Sequence, residues 1–414
     1  MARLSRTRMV IIGGGFAGLR VLYRLHNALG RDADIILLDP RSTTLQKPAL
    51  PDIALTGQAV GRYRHELQPI ADRAGARFIQ ASVLFIDPVK QRVELSNGRK
   101  LPYDYLFITM GIEKNYDAIE GYRKHGYSIC DDEEAPRLYQ ALGQFKGGPV
   151  VVGTARTEWS HDVSLPHLDA ACEGPMGEVS FMLDHQLRRR NIRDISPISL
   201  FTPGREFLDD VGDTVHQVLA ERFAARTVQV LPQKNVVCLT DDSVIFSDGT
   251  ELSSALTIII PPYGGPAAIK HSGLGDDKGF VATDHAMRHV VYPSIFATGD
   301  VNALSMPKLG HLAIIQADIA AATVIRELTN VGEVPLYKPE IFCIMHERDN
   351  EATLIWSDVM YGGKTDVAFH GISAHLMKWS FDSYYFYAHD HLPADWVHAG
   401  LESVLGHVNI HDQA

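Results

Sequence analysis

Three glycines and one carboxylate are the first residues in this chain whose spacing could do chemistry. Gly13-x-Gly15-x-x-Gly18 follows the apolar run Met9 to Ile12, and Leu19, Leu22, Leu25 and Leu29 behind it recur at helical spacing. Between a strand and a helix, the first glycine permits a tight turn and the second lets backbone approach a pyrophosphate. The third lets the helix pack closely, with its N-terminal N–H groups turned toward phosphate. Asp39 ends a second apolar run, Ala33 to Asp39. It lies about twenty residues beyond the turn, where a carboxylate accepts ribose hydroxyls. Strand, turn, helix, strand and acid together predict a βαβ dinucleotide site.

The second group is sulfur. Cys130 lies in Ser128-Ile129-Cys130 before the acidic run Asp131 to Glu134, Cys172 in Ala171-Cys172-Glu173-Gly174-Pro175 ahead of Glu178, and Cys343 in Ile341-Phe342-Cys343-Ile344. Cys238 sits within an alternating strand pattern and reads as a small buried hydrophobe. No two cysteines form a CxxC pair, so no metal centre is expected, and four are too few to staple a chain this long. Taken singly, Cys130, Cys172 and Cys343 read more readily as buried hydrophobes than as nucleophiles.

The elements that must position these groups fall into three regions. The fingerprint opens a domain comprising 1–112 and 285–330, which includes a β-meander from Val83 with Asn97-Gly98 as a hairpin turn, and a closing helix over Leu312 to Leu328. The loop Gln46 to Gly57, interrupted by Pro48 and Pro51, is expected to be irregular and close to the ligand. A second unit, 113–284, repeats the plan with a strand at Gly148 (GPVVVGTA), another at Ser196 (SPISLFTP), a hairpin over Cys238 to Leu252 and a returning strand at Ala255 to Pro261. Its turn, however, reads Gly153-Thr154-Ala155-Arg156-Thr157-Glu158. Ala155 would obstruct backbone approach to a pyrophosphate and Glu158 would prevent close helix packing, so nicotinamide binding is not expected. The third region, 331–414, carries apolar and aromatic residues at helical spacing over Ser373 to Ala388 and again from Pro393, as interfacial amphipathic helices do. The expected fold class is thus α/β, with two Rossmann-like dinucleotide-binding domains, the second degenerate, and a C-terminal amphipathic membrane-interaction region.

Composition narrows the partners. The 414 residues carry a formal net charge of −11, which offers no extended basic face for nucleic acid. No apolar stretch reaches the roughly eighteen residues of a spanning helix, and the N-terminal basic residues run straight into the first strand without an apolar leader.

Ser128-Ile129-Cys130, the ACxGP stretch at Ala171 to Pro175, Ala297-Thr298-Gly299-Asp300, the PKxG stretch at Pro307 to Gly310 and the late Cys343 together resemble the sulfide:quinone oxidoreductase family of peripheral membrane flavoproteins. The resemblance implies FAD as cofactor, with Asp300 beside Gly299 on its ribityl and pyrophosphate part. It further implies a turn at Gly111, where Met110 departs from the usual alanine-threonine-glycine, and Lys308 near the flavin pyrimidine edge. It implies a redox pair of Cys172 and Cys343 that sulfide opens to a persulfide and a thiolate, with Cys130 near the flavin 8-methyl. Glu134 stands where relatives often carry a histidine. Phe381 matches an aromatic position packed on the quinone, with Tyr384 and Tyr385 as further candidates. The implied partners are sulfide, a membrane quinone and the membrane surface. The implied location is the periphery of the cytoplasmic membrane, on either face, and a homo-oligomer is left open. Three alternatives stay open: the flavoprotein subunit of a sulfide dehydrogenase that donates to cytochrome c, a type II NADH dehydrogenase, and an FAD-binding redox sensor without turnover.

Overall fold

The computed structural model describes residues 6–159, 165–348 and 350–378. The first domain is built on a parallel sheet of five strands in the order Ile295–Ala297, Tyr105–Ile108, Thr7–Ile12, Ala33–Asp39 and Arg77–Gln80. Both long strands are almost continuously apolar because both faces of this sheet are covered. On one face lie the helices Phe16–Leu29 and Gly310–Thr329, joined by the bidentate pair of Arg20 with Asp318 at 2.6 and 2.8 Å. On the other, the meander Val83–Asp87, Arg92–Leu95 and Lys100–Pro102 places Ile86, Val93, Leu95 and Leu101 against Val10, Ile12, Ile36 and Leu38. Gly98 takes the left-handed conformation at the meander's turn, φ +79°, as the Asn97-Gly98 signal requires.

The second domain repeats the arrangement. Gly126–Tyr127, Leu256–Ile260, Val150–Thr154, Ile198–Phe201 and Val228–Leu231 form another five-stranded parallel sheet, with its own meander at Val236–Leu239, Ser243–Phe246 and Glu251–Ser253. Residues 267–284 are divided differently from the sequence reading. Ala268, Ile269, Leu274 and Val281 join the core beneath the first domain's meander, so the chain returns to that domain before position 285. Gln46 to Gly57 is also more regular than expected. A 3-10 turn at Lys47–Ala49 runs into the helix Leu50–Thr56, whose first turn accommodates Pro51 and whose left-handed cap is Gly57, φ +74°. Cys238 is half-buried on an edge strand rather than enclosed.

A three-stranded antiparallel sheet, Ile341–Arg348, Glu351–Ser357 and Asp366–Gly371, follows the closing helix and packs on the helix Gly174–Arg189. Glu347, buried completely, fastens this sheet to the second domain by accepting from Arg222, Arg226 and Thr353. Residues 372–378 begin a helix. The amphipathic pattern expected over Ser373 to Ala388 and from Pro393 falls within the described residues only up to 378, and Phe381, Tyr384 and Tyr385 lie outside them. Among the described residues no helix is long and apolar enough to cross a membrane.

Candidate functional site

A cavity of about 380 Å³ runs from the glycine turn of the first domain to the meeting point of all three regions. At its first end, each fingerprint glycine has a distinct steric reason. Gly13 has φ +110°, and a Cβ there would lie 2.3 Å from the carbonyl oxygen of Thr109. A Cβ on Gly18 would lie 1.8 Å from the carbonyl oxygen of Gly13, so only glycine lets the helix sit this close to the turn. A Cβ on Gly15 would meet nothing within 4 Å, because that position opens into the cavity where a phosphate would approach. Asp39 is buried beside them. Its two carboxylate oxygens accept the backbone N–H groups of Gly14 (2.8 Å) and Arg41 (2.9 Å), so it braces the turn as well as facing the ligand space. Met110 and Gly111, φ +72°, line the middle with Gly299 and Asp300. The Gly299 N–H is held by Gln316 Oε1 at 2.8 Å, and Asp300 pairs with Lys47 at 3.7 Å. Gly13, Gly15, Asp39, Gly111, Gly299 and Asp300 therefore converge on one cavity with Gly18 packed behind Gly13, and the open space at Gly15 suits a pyrophosphate.

The corresponding turn of the second domain is obstructed more heavily than its sequence suggests. Instead of passing directly from strand to helix, the chain departs at Ala155 and enters the helix only at Gly174. Within the described part of this excursion, Arg156 pairs with Ala170 as a β-bridge and the Trp159 indole donates to the carbonyl of Leu168 at 3.0 Å. Ala155 is buried, and Glu158 points outward to pair with Lys278 at 2.6 Å. The excursion ends in Cys172. Its position is fixed by the Thr154 hydroxyl, which donates to the Cys172 carbonyl, and by the Lys308 N–H, which donates to the Ala171 carbonyl at 2.7 Å.

Cys130, Cys172 and Cys343 all line this end of the cavity. The C-terminal sheet brings Cys343 to the start of the Gly174–Arg189 helix, where a Cβ on Gly174 would lie 3.0 Å from its sulfur. One strand repeat further on, Met345 meets Gly177 in the same way, so two glycines set the approach of strand to helix. Burial pushes the Cys343 thiol up to about 12, with the Glu178 carboxylate adding to the rise and Lys378 opposing it. Burial likewise raises Cys172, reinforced by its neighbouring sulfurs and Asp300. Cys130 Sγ lies 3.6 Å from the Tyr263 hydroxyl, and burial raises its thiol as well, against the hydrogen bonds of Ser128 and Tyr263. Glu134 does not line the cavity. It opens the helix Glu134–Gln144 and pairs with Arg137 at 2.8 Å.

Lys308 reaches the cavity from beside these sulfurs. Its ammonium donates to the Asn302 carbonyl at 2.9 Å and lies 5.0 Å from the Trp159 ring centroid and 5.2 Å from that of Phe280. Burial lowers its pKa to about 8, against the pull of Asp300 and Asp276. Four further residues were not assigned from sequence. Tyr263 touches Cys130, Phe342 precedes Cys343, and Glu178 accepts from Lys378 at the cavity wall. Glu178 is visible in sequence only as an acid shortly after Cys172, and Lys378 as the sole lysine or arginine beyond Lys364. Neither position announces their pairing.

Residues 7–157 match the family described as pyridine nucleotide-disulphide oxidoreductase. The sulfide-quinone reductase of Aquifex aeolicus is 24% identical over 400 residues, 91% of this chain and 90% of that protein. The mitochondrial sulfide:quinone oxidoreductase of Dictyostelium discoideum is 24% identical over 338 residues, covering 77% of this chain and 70% of that protein. Among solved structures, the sulfide:quinone oxidoreductase of Aquifex aeolicus shares the fold with a TM-score of 0.86 at 24% identity, over 96% of this chain and 95% of that one. NDH2 from Plasmodium falciparum gives 0.68 at 14% identity, over 93% and 97%. The backbone is therefore nearer to the former.

Proposed function

We propose that this chain, a flavoprotein of the sulfide:quinone oxidoreductase family, oxidises sulfide at a Cys172–Cys343 pair and passes the electrons through FAD to a membrane quinone. The observation that carries the reading is the convergence of Cys172, Cys343 and Cys130 on one cavity whose other end is an intact dinucleotide turn. The blocked second turn leaves NADH without a corresponding seat and favours this donor over that of a type II NADH dehydrogenase.

Gly13, Gly15, Gly18 and Asp39 hold the adenosine and pyrophosphate part of FAD, Gly111, Gly299 and Asp300 the central part, and Lys308 the pyrimidine end. FAD supplies the two-electron relay between sulfide and quinone. Cys172 and Cys343 are thiols in this structure; in the oxidised form of the pair, hydrosulfide attacks one sulfur of the Cys172–Cys343 disulfide. The S–S bond breaks, a new one forms to the incoming sulfur, and the electron pair of the broken bond leaves on the other cysteine as a thiolate. Each further hydrosulfide added to the chain gives up two electrons, which FAD would accept when bound and hand on to quinone, and the sulfur leaves as polysulfide or sulfur. Burial shields Cys172 from water, and the bonds from Thr154 and Lys308 keep it in register with Cys343. The quinone is met at the surface of the cytoplasmic membrane, with Phe381, Tyr384 and Tyr385 as the residues proposed to contact it.

Anaerobic addition of sulfide or NADH to the purified protein tests this. Sulfide should bleach the flavin and a short-chain quinone should restore its colour. Bleaching by NADH alone would refute the reading, and recolouring by a c-type cytochrome but not by quinone would transfer it to a sulfide dehydrogenase.

A further inference from the structure

Four elements bring ionisable side chains together behind the Glu178 wall of the cavity. His346, on the strand Ile341–Arg348, donates its backbone N–H to Glu178 Oε1 at 3.2 Å. Its ring Nδ1 stands 3.4 Å from Asp52 Oδ1 and 3.8 Å from Glu178 Oε1, between the two carboxylates. Asp52 belongs to the helix Leu50–Thr56 and Glu178 to the helix Gly174–Arg189. From residues 372–378 come Lys378, which donates to Glu178, and His375, whose ring lies 5.2 Å from that of His346. His346 Nε2 and His375 Nδ1 are buried and have no hydrogen-bond partner among the described residues. The cluster therefore has an inner end and an outer end. The Glu178 side chain, 6% exposed, faces the cavity, whereas Asp52 is 23% exposed and reaches water.

We propose that His346 is a proton relay between solvent at Asp52 and the cavity at Glu178, serving the reduction of the quinone. The inference rests on the function proposed above and adds to it the route of the protons. Converting a quinone to a quinol adds two electrons and two protons, and at least one proton must come from water. In the relay, one proton leaves the His346 imidazolium for the Glu178 carboxylate and continues to a quinone oxygen, while water restores it to His346 past Asp52. No electron moves within the cluster. A single ring nitrogen within reach of both carboxylates suits a shuttle better than a fixed ion pair does, because a small rotation exchanges one partner for the other. The surrounding charges favour an ionised outer acid. Burial tends to raise Asp52, but the hydrogen bond from His346 and the nearby Lys378, His346 and His375 hold it below its ordinary range. His375 is pushed down by burial and by repulsion from His346 and Lys378, with Asp52 opposing, which favours a neutral second ring.

The test separates the two half-reactions in the FAD-loaded protein. The flavin is reduced with dithionite, so that the outcome does not depend on sulfide, and then mixed with a short-chain quinone across a range of pH. His346→Ala should slow flavin reoxidation on the order of a hundredfold, and added imidazole should recover much of that loss. Asp52→Asn should slow it less and steepen its dependence on pH. Independently of turnover, the Nδ1 resonance of His346 in 15N NMR should shift in Asp52→Asn, as expected for a ring bonded to that carboxylate. Reoxidation of His346→Ala at the unaltered rate, a loss restored by His346→Gln but not by imidazole, or an unmoved resonance would each overturn the relay. Failure of sulfide to bleach the unaltered protein would refute the proposed donor while leaving this test intact. Failure of quinone to reoxidise the dithionite-reduced protein would remove both readings. Should His346→Ala not fold, the Asp52→Asn kinetics and the resonance decide.

Discussion

The sulfur of Cys343 lies 3.0 Å from the point where a side chain on Gly174 would begin. Two regions separated by most of the second domain thus meet so closely that a methyl group on Gly174 would require the Cys343 sulfur to give by a few tenths of an ångström. Gly174→Ala should push the Cys343 strand away from Cys172 while leaving the dinucleotide turn untouched. Displacement of a reacting group by about 1 Å can cost about a hundredfold in rate. The expected result is sulfide-driven bleaching slowed by roughly ten- to a hundredfold, with full FAD content, read by stopped-flow absorbance.

Cys172→Ala and Cys343→Ala should each abolish bleaching by sulfide and retain the flavin spectrum, because neither sulfur holds the dinucleotide end of the cavity. Cys238→Ala should behave as the unaltered protein, since that residue lies half-buried on an edge strand of the second domain. Sulfide-driven reduction persisting in Cys343→Ala would remove the disulfide from the mechanism.

Asp39→Ala leaves the N–H groups of Gly14 and Arg41 without their acceptor. Stranding the buried Gly14 donor costs about 1–3 kcal/mol, and the turn that it braces is the one proposed to cradle phosphate. The variant should be purified with little FAD and show a lower melting temperature. Retention of stoichiometric flavin would mean that the ligand itself satisfies those groups.

Lys308 should set the flavin potential. A buried ammonium near the reduced, anionic ring favours reduction, so Lys308→Met should shift the midpoint about 30 mV or more to the negative side, about 1.4 kcal/mol for a two-electron couple. The lysine is charged below about pH 8 and loses its proton above it. The gap between variant and unaltered protein should therefore close as pH rises through that value in a spectroelectrochemical titration. A gap independent of pH would assign the effect to packing.

The C-terminal sheet should come loose in acid. Burial tends to raise the Glu347 carboxyl, but Arg222, Thr353 and Arg226 together hold it below its ordinary value of 4.5. A carboxyl depressed in the folded state adds stability above its unfolded pKa and loses it as pH falls through the folded value. Glu347→Gln strands two partly buried guanidinium groups and should destabilise by about 3–5 kcal/mol. Urea denaturation at neutral pH and at pH 4 should show the difference between the two proteins narrowing in acid.

How much of this was legible in the sequence depended on whether the signal was local. Gly13, Gly15, Gly18 and Asp39 share one βαβ unit, and their spacing is the geometry, so their positions in the structure match the reading. The broken second turn was visible at Ala155 and Glu158, but the long detour to Gly174 was not, because a loop of mixed composition carries no period. Residues 267–284 were placed in the wrong company for a related reason. The apolar residues Ala268, Ile269 and Leu274 announce a buried face without saying which sheet covers it. The grouping of Glu178, Lys378, His346 and Asp52 has no signature in the sequence. They come from four elements far apart in the chain, and only the packing of the C-terminal sheet on the second domain makes them neighbours.

The detour between Ala155 and Gly174 also bears on what this scaffold could become. Replacing Ala155 and Glu158 with glycine would repair the letters of a nicotinamide fingerprint and restore nothing, since the strand would still not lead into the helix. Recovering that seat means excising a segment, and the segment contains Trp159, which lies against Lys308, and Cys172 at its end. The same cut would take with it Cys172, one half of the proposed sulfur pair, so a seat for nicotinamide and that pair would compete for one stretch of chain.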